Sequence, residues 1–236
     1  MTSGPVWRRL ERREFQLLLV GLGLCALAFL FMRLASEVME GDTQAIDVQI
    51  LRTLRDAADP SRPIGPDWME GVLVDITALG SPVVLGLIVL IITGYLLLES
   101  RYVTAVIVLA TSISSEIVDE LLKLLFARPR PSVVPHLRTV VSASFPSGHA
   151  MESAIIYLTL GALLMRVVKG RITKIYCMGM AIFLTLIVGV SRVFLGVHYP
   201  TDVVGGWMLG FLWAAITFLA TRRFEPAVEH EREQAE

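Results

Sequence analysis

Three short stretches of this 236-residue chain gather basic, histidine and carboxylate side chains within otherwise apolar sequence. The first is "KLLFARPRP", where Lys123 precedes Arg130 and Pro131. Pro129 and Pro131 stop a helix and stiffen the following segment into an extended form, which fixes where Arg128 and Arg130 point. On its own this stretch reads more readily as a lysine snorkelling at a membrane interface, where basic residues are common. The second is "FPSGHA". Proline is favoured at the first position of a helix, so Pro146 is expected to leave the backbone N–H groups of Ser147, Gly148 and His149 unpaired and ready for an anion. Gly148 permits close approach, Ser147 adds a hydroxyl donor, and His149 exchanges a proton near neutral pH. The third is "SRVFLGVHYPTD", with Arg192, His198 and Asp202. A carboxylate beside a histidine fixes one imidazole tautomer and makes the other nitrogen a nucleophile or base, although a lone pair of this kind also serves as a structural cap.

Together these stretches supply three cations, a helix-end anion cradle and two histidines in different surroundings. That set suits a phosphate: cations and amides neutralise its oxygens, one histidine attacks in line, and the other protonates the departing oxygen. No group of carboxylates or thiolates forms a cage for a metal, so neither metal nor cofactor is expected. Cys25 and Cys177 are expected to be small packing residues without a function.

The elements that must position these groups are membrane helices. With 54% hydrophobic residues and a mean hydropathy of +0.65, the chain lies outside the range of soluble domains. Apolar stretches near 15–38, 76–98, 102–126, 146–168, 173–196 and 201–221 are each about long enough to span a bilayer core of roughly 30 Å. One all-α integral domain over 1–236 is therefore expected, with its core at about 70–220. The first stretch is too long for a signal-peptide core and lacks a small-residue cleavage site, so it reads as a retained helix.

The formal net charge of −1 gives no basic field for nucleic acid. The placement of charge says more. With a cytoplasmic N-terminus (1–14), the inner side holds Arg8, Arg9, Arg12, Arg13, Arg101, Arg166, Lys169, Arg171, Lys174, Arg222, Arg223 and Arg232, the larger share of the twenty-one basic residues. The acidic tail, 224–236, then lies on the cytoplasmic side as a frayed end, and 40–70 forms an extracytoplasmic loop. Within that loop Ile46, Ile50, Leu51 and Leu54 share a helical face, with Asp47, Gln49, Arg52 and Arg55 mostly elsewhere. The segment reads either as a helix on the membrane surface or as a short helix packed on the ends of the others.

The three stretches resemble the signatures of the type 2 phosphatidic acid phosphatases (PAP2), in their bacterial membrane branch: Lys123, Arg130 and Pro131; Pro146, Ser147, Gly148 and His149; Ser191, Arg192, His198 and Asp202. The resemblance covers about 70–220 and includes the "ITALGS" turn before the second span. It implies that His198 forms a phosphohistidine, that Asp202 orients it, and that His149 is first general acid and then general base. It further implies that Lys123, Arg130, Arg192, Ser147 and Gly148 hold the phosphate. The implied substrate is a phosphorylated lipid in the bacterial cytoplasmic membrane, with the site facing the periplasm or cell exterior. Phosphatidic acid, phosphatidylglycerol phosphate, undecaprenyl diphosphate and lipid A phosphate all remain open, as do transfer to a lipid or sugar hydroxyl and, more remotely, transport.

Four acids stand apart from these motifs. Asp119, four residues before Lys123, is in reach to pair with it and compete with substrate. Glu152 follows His149 by one turn. With Glu116 and Glu120 they are expected mainly to face water in an access cavity. His136 and His230 are expected to be incidental.

Overall fold

A computed structural model describes residues 6–138 and 142–233, with side chains over 14–138 and 142–224; Arg8, Arg9, Arg12, Arg13, His230 and Arg232 lie outside the described side chains. Among the described residues the secondary structure is helical and contains no strand. The helices are α1 (Val6–Glu40), α2 (Gln44–Thr53), α3 (Trp68–Ala78), α4 (Pro82–Leu98), α5 (Tyr102–Phe126), α6 (Gly148–Val167), α7 (Arg171–Phe194) and α8 (Pro200–Glu233). The described part of the acidic tail, through Glu233, therefore continues α8 as helical backbone instead of fraying from 224.

Among the described residues, four helices are long and apolar enough to cross a membrane: Glu14–Glu40, α6, α7 and Pro200–Phe224. The stretch predicted as one span at 76–98 is two helices, α3 and α4, bent by 44° and counted as a fifth span only when taken together. The break has a local cause. Ser81 is extended and caps α4, its hydroxyl accepting from the Val84 N–H, while Pro82 cannot continue a helix from α3. Helix α5 is not among those candidates, and its C-terminal half carries Glu116, Asp119, Glu120 and Lys123.

Helix α6 is central. It packs on α7 and α8, with α5 and α4 beside it, and its Met151, Ala154, Ile155 and Tyr157 sit in the largest apolar core. Small residues let the backbones approach: a side chain at Gly161 would meet Ala181 of α7. Outward faces stay apolar, with Leu18, Leu22, Leu90, Ile172 and Phe183 exposed, the surface expected of helices in lipid. Both cysteines are free, Cys25 exposed on α1 and Cys177 partly exposed on α7.

Helix α2 corrects the predicted amphipathic face. Leu51 is fully buried with Leu54 packed beside it, but so is Asp47 one turn before Leu51, while Ile46 and Ile50 are exposed. The segment is docked on the other helices by a face centred on Asp47 and Leu51, because Asp47 finds Arg128 and Thr201 there.

Candidate active site

Helix α5 ends at Phe126, where Ala127 takes a left-handed conformation (φ 45°), and residues 128–131 run on without helical structure, as the two prolines require. This turn sends Arg128 and Arg130 to different places. Arg128 is buried and bridges two carboxylates, donating to Asp202 at 2.5 Å and to Asp47 at 2.9 Å. Arg130 reaches the catalytic histidine candidate: its NH1 is 2.7 Å from the Val197 carbonyl and 3.1 Å from His198 Nε2. Its remaining nitrogens donate to Ser142 and to the Ala143 carbonyl.

His198 lies between α7 and α8, after a turn that Gly196 makes at φ 73°. Crowding reinforces the need for glycine there, since a Cβ would come within 3.1 Å of the Pro135 carbonyl. The imidazole is almost fully buried. Its Nδ1 lies 2.8 Å from the Ser144 carbonyl and 3.5 Å from Asp202 Oδ2. A carbonyl only accepts, so Nδ1 carries the proton of the neutral ring and Nε2 presents its lone pair. The implied direct orientation by Asp202 is thus shared with Ser144. Asp202 in turn accepts from the Ser144 hydroxyl at 2.5 Å and the Tyr199 N–H at 2.8 Å, so it holds the segment that holds His198.

The second motif departs from expectation at its first residue. Ser147, not Pro146, caps α6, and the Ser147 N–H donates to the Asp202 carbonyl at 3.0 Å. That bond takes one amide out of the predicted cradle. The first bond back into the helix runs from the Met151 N–H to the Ser147 carbonyl, so the N–H groups of Gly148, His149 and Ala150 precede the helical ladder. The Ser147 hydroxyl is buried and, among the described residues, has no partner. His149 is half-buried and interacts electrostatically with Arg192, His198 and Lys123.

Arg192 is buried, with NH1 donating to Thr77 of α3 at 2.9 Å and its Nε without a partner among the described residues. Lys123 pairs with Asp119, one turn before it. Asp119 also crowds the cradle, since a Cβ on Gly148 would stand 2.7 Å from its carboxylate. This corrects the expectation of water-facing acids: Asp119 and Glu152 are buried, and only Glu116 and Glu120 are exposed. The ion pair with Lys123 is what permits burial of Asp119. His136 is exposed and contacts the Pro131 carbonyl at 2.5 Å.

All three motifs therefore meet at one place: Arg130 reaches His198, the Ser147 N–H reaches the Asp202 carbonyl, and Gly148 lies against the Asp119 carboxylate that pairs with Lys123. Residues 104–226, which contain every one of these groups, match the PAP2 superfamily. The chain belongs to that superfamily. It is an integral membrane phosphatase of the PAP2 kind. Phosphatidylglycerophosphatase B of Bacillus subtilis is 29% identical over 213 residues, covering 89% of this chain and 98% of the relative. An undecaprenyl-diphosphatase of the same organism is 28% identical over 123 residues, covering 50% of this chain and 58% of the relative. The crystal structure of a transmembrane PAP2 type phosphatidylglycerolphosphate phosphatase from Bacillus subtilis superposes with a TM-score of 0.77 at 27% identity, over 85% of this chain and 96% of that one. Among the described residues, no group of three or more histidine, cysteine or acidic side chains is placed to hold a metal ion.

The surroundings of His198 make a prediction for this phosphatase. Burial, followed by the Arg130 and Arg192 guanidinium groups, holds the imidazole well below the ordinary histidine range. In the unfolded chain it titrates near pH ~6.5. Below that pH the unfolded state binds a proton that the native state refuses. Stability is therefore full above about pH 6.5 and falls as the pH drops below it, by up to about 1.4 kcal/mol per pH unit. His198→Asn should flatten the acid side of a plot of thermal midpoint against pH measured in detergent. Parallel curves for wild type and variant would show that the native imidazole titrates normally.

Proposed function

We propose that this PAP2 phosphatase hydrolyses a phosphomonoester or diphosphate of a membrane lipid through a phosphohistidine on Nε2 of His198. The observation that carries the reading is the state of that ring, with Nδ1 committed to the Ser144 carbonyl and Nε2 left as a lone pair beside Arg130. Nε2 attacks phosphorus, the bond to the leaving oxygen breaks, and His149 gives that oxygen its proton. Water then attacks phosphorus while His149 takes its proton, the phosphorus–nitrogen bond breaks, and inorganic phosphate leaves with the Nε2 lone pair restored. Arg130, Arg192, Lys123 and the cradle of Ser147 and Gly148 stabilise charge on the oxygens that are not transferred. For Lys123 to join them, it must exchange Asp119 for the phosphate.

Lipid as the substrate class is supported by the apolar helix surfaces and by the relatives, which are named for phosphatidylglycerophosphate and undecaprenyl diphosphate. Phosphatidylglycerol phosphate is the first candidate, because the relative named for it matches over nearly its whole length. Six membrane passes, with the site toward the periplasm or exterior of a bacterial cytoplasmic membrane, complete the reading. The basic residues gathered on the opposite side support that orientation.

The test is phosphate release by purified protein in detergent micelles containing phosphatidylglycerol phosphate, phosphatidic acid, undecaprenyl diphosphate or lipid A phosphate, each with EDTA present. Release from phosphatidylglycerol phosphate that survives EDTA is the expected result. Activity lost in EDTA and restored by magnesium or zinc would overturn the metal-free mechanism, and no release from any of the four would overturn the substrate class.

A further inference from the structure

Helix α2 brings a carboxylate into contact with the machinery of α5 and α8 from a loop that contributes no motif residue. We infer that Asp47 is a positioning residue for the reaction, acting on His198 through Arg128, Asp202 and Ser144. The inference rests on the reading of His198 as nucleophile.

The chain of contacts is continuous and buried. Asp47 is fully buried, held in place by Leu51 one turn on, whose side chain sits among Val134, Ala150, Val193, Tyr199 and Val203. Asp47 accepts from Arg128 NH2 at 2.9 Å, from the Thr201 N–H at 3.1 Å and from the Thr201 hydroxyl at 2.6 Å. Arg128 uses its other arm on Asp202 at 2.5 Å and on the Thr201 hydroxyl at 2.9 Å, and its guanidinium lies over the Tyr199 ring, 4.2 Å from the centroid. Asp202 then accepts from Ser144, whose carbonyl takes His198 Nδ1.

The geometry says what Asp47 adds. A guanidinium is a rigid planar fork, so fixing one arm fixes the direction of the other. With Asp47 in place, the arm that meets Asp202 has one position. Without it, the second arm of Arg128 keeps only the long contact to Gln44 at 3.4 Å, so the guanidinium shifts on its bonds to Asp202 and Thr201, and Asp202 carries that freedom to Ser144 and to the ring of His198. The expected loss therefore falls on the chemical step, since a nucleophile displaced by a fraction of an ångström binds substrate as before and attacks poorly.

The experiment compares full-length wild type, Asp47→Asn, Thr201→Val, Asp202→Asn and the Asp47→Asn/Asp202→Asn double variant, with phosphatidylglycerol phosphate in detergent micelles. Folding is checked by elution profile and thermal midpoint. Asp47→Asn should lower kcat about 30-fold with KM within about threefold, a size that coupled neighbours show. In the Asp202→Asn background the same change should cost less than about threefold, because the path to His198 is already cut. Thr201→Val, which removes the hydroxyl's bonds to Asp47 and Arg128 and leaves both carboxylates, should cost several-fold in kcat and carries the test should Asp47→Asn fail to fold. A folded Asp47→Asn enzyme with kcat within twofold of wild type, a loss confined to KM, or a loss that multiplies in full in the Asp202→Asn background would each overturn the relay. A Thr201→Val enzyme with unchanged kcat would overturn it when no folded Asp47 variant is obtained. A His198→Ala control that stays active would overturn the nucleophile reading beneath it, an outcome the Asp47 data cannot mimic.

Discussion

His198→Ala is expected to reduce phosphate release by about 10⁴-fold or more, because loss of the nucleophile removes the covalent route and leaves only binding and charge stabilisation. The alanine variant also empties a buried site and leaves the Ser144 carbonyl without its donor, so some destabilisation will accompany the loss. His198→Asn separates the two effects. The asparagine amide occupies the place of Nδ1 and donates to Ser144, but nothing stands where Nε2 stood. It should be as inactive as the alanine variant and melt closer to wild type. Phosphate release by folded His198→Asn within tenfold of wild type would rule out a phosphohistidine at this position, and with it the functional assignment of Arg130, whose NH1 lies 3.1 Å from that nitrogen.

What the sequence made legible follows from the range over which each interaction acts. The helices and the three motifs were readable because apolar length and the order of Lys123, Arg130, His149, Arg192, His198 and Asp202 are local properties of the chain. The Asp119 ion pair with Lys123 was in reach too, since positions four apart share a helix face. Its burial was not readable, because that depends on α6 bringing Gly148 against the carboxylate. The supporting groups escaped for the same reason. Asp47 and Arg128 are 81 residues apart, and Ser144 and His198 are 54 apart. Hydrophobic periodicity was half right about α2, since Leu51 and Leu54 pack inward while Ile46 and Ile50 stay exposed. A buried ion pair outweighed the burial of Ile46 and Ile50, which keep an apolar outlet if they face lipid. One signal was available: Arg128 stands two residues before a motif arginine in the same rigid proline turn, and a buried arginine requires acceptors.

Removing His149 should divide the reaction at its two proton transfers. With a lipid phosphate, whose leaving alkoxide needs a proton, His149→Ala should lower kcat by about 10²–10⁴-fold, the usual range for general acid–base catalysis. With p-nitrophenyl phosphate the leaving group departs without a proton, so attack by Nε2 survives. The second step still needs a base for water, and the variant provides none. The phosphoenzyme should therefore accumulate, giving a burst of about one equivalent of nitrophenolate per site followed by slow turnover, with phosphate trapped as an acid-labile histidine adduct. The position of His149 supports this double role. It is the second residue of α6, next to Gly148 of the phosphate cradle, so a phosphoryl group held there would come within its reach. An unreduced steady-state rate on the lipid would remove His149 from the chemistry. A His149→Ala enzyme slow on both substrates with no burst would place its role before attack, in binding the phosphate, and the base for water would then have to be sought among the buried acids, with Glu152, one turn along the same helix, the first to replace.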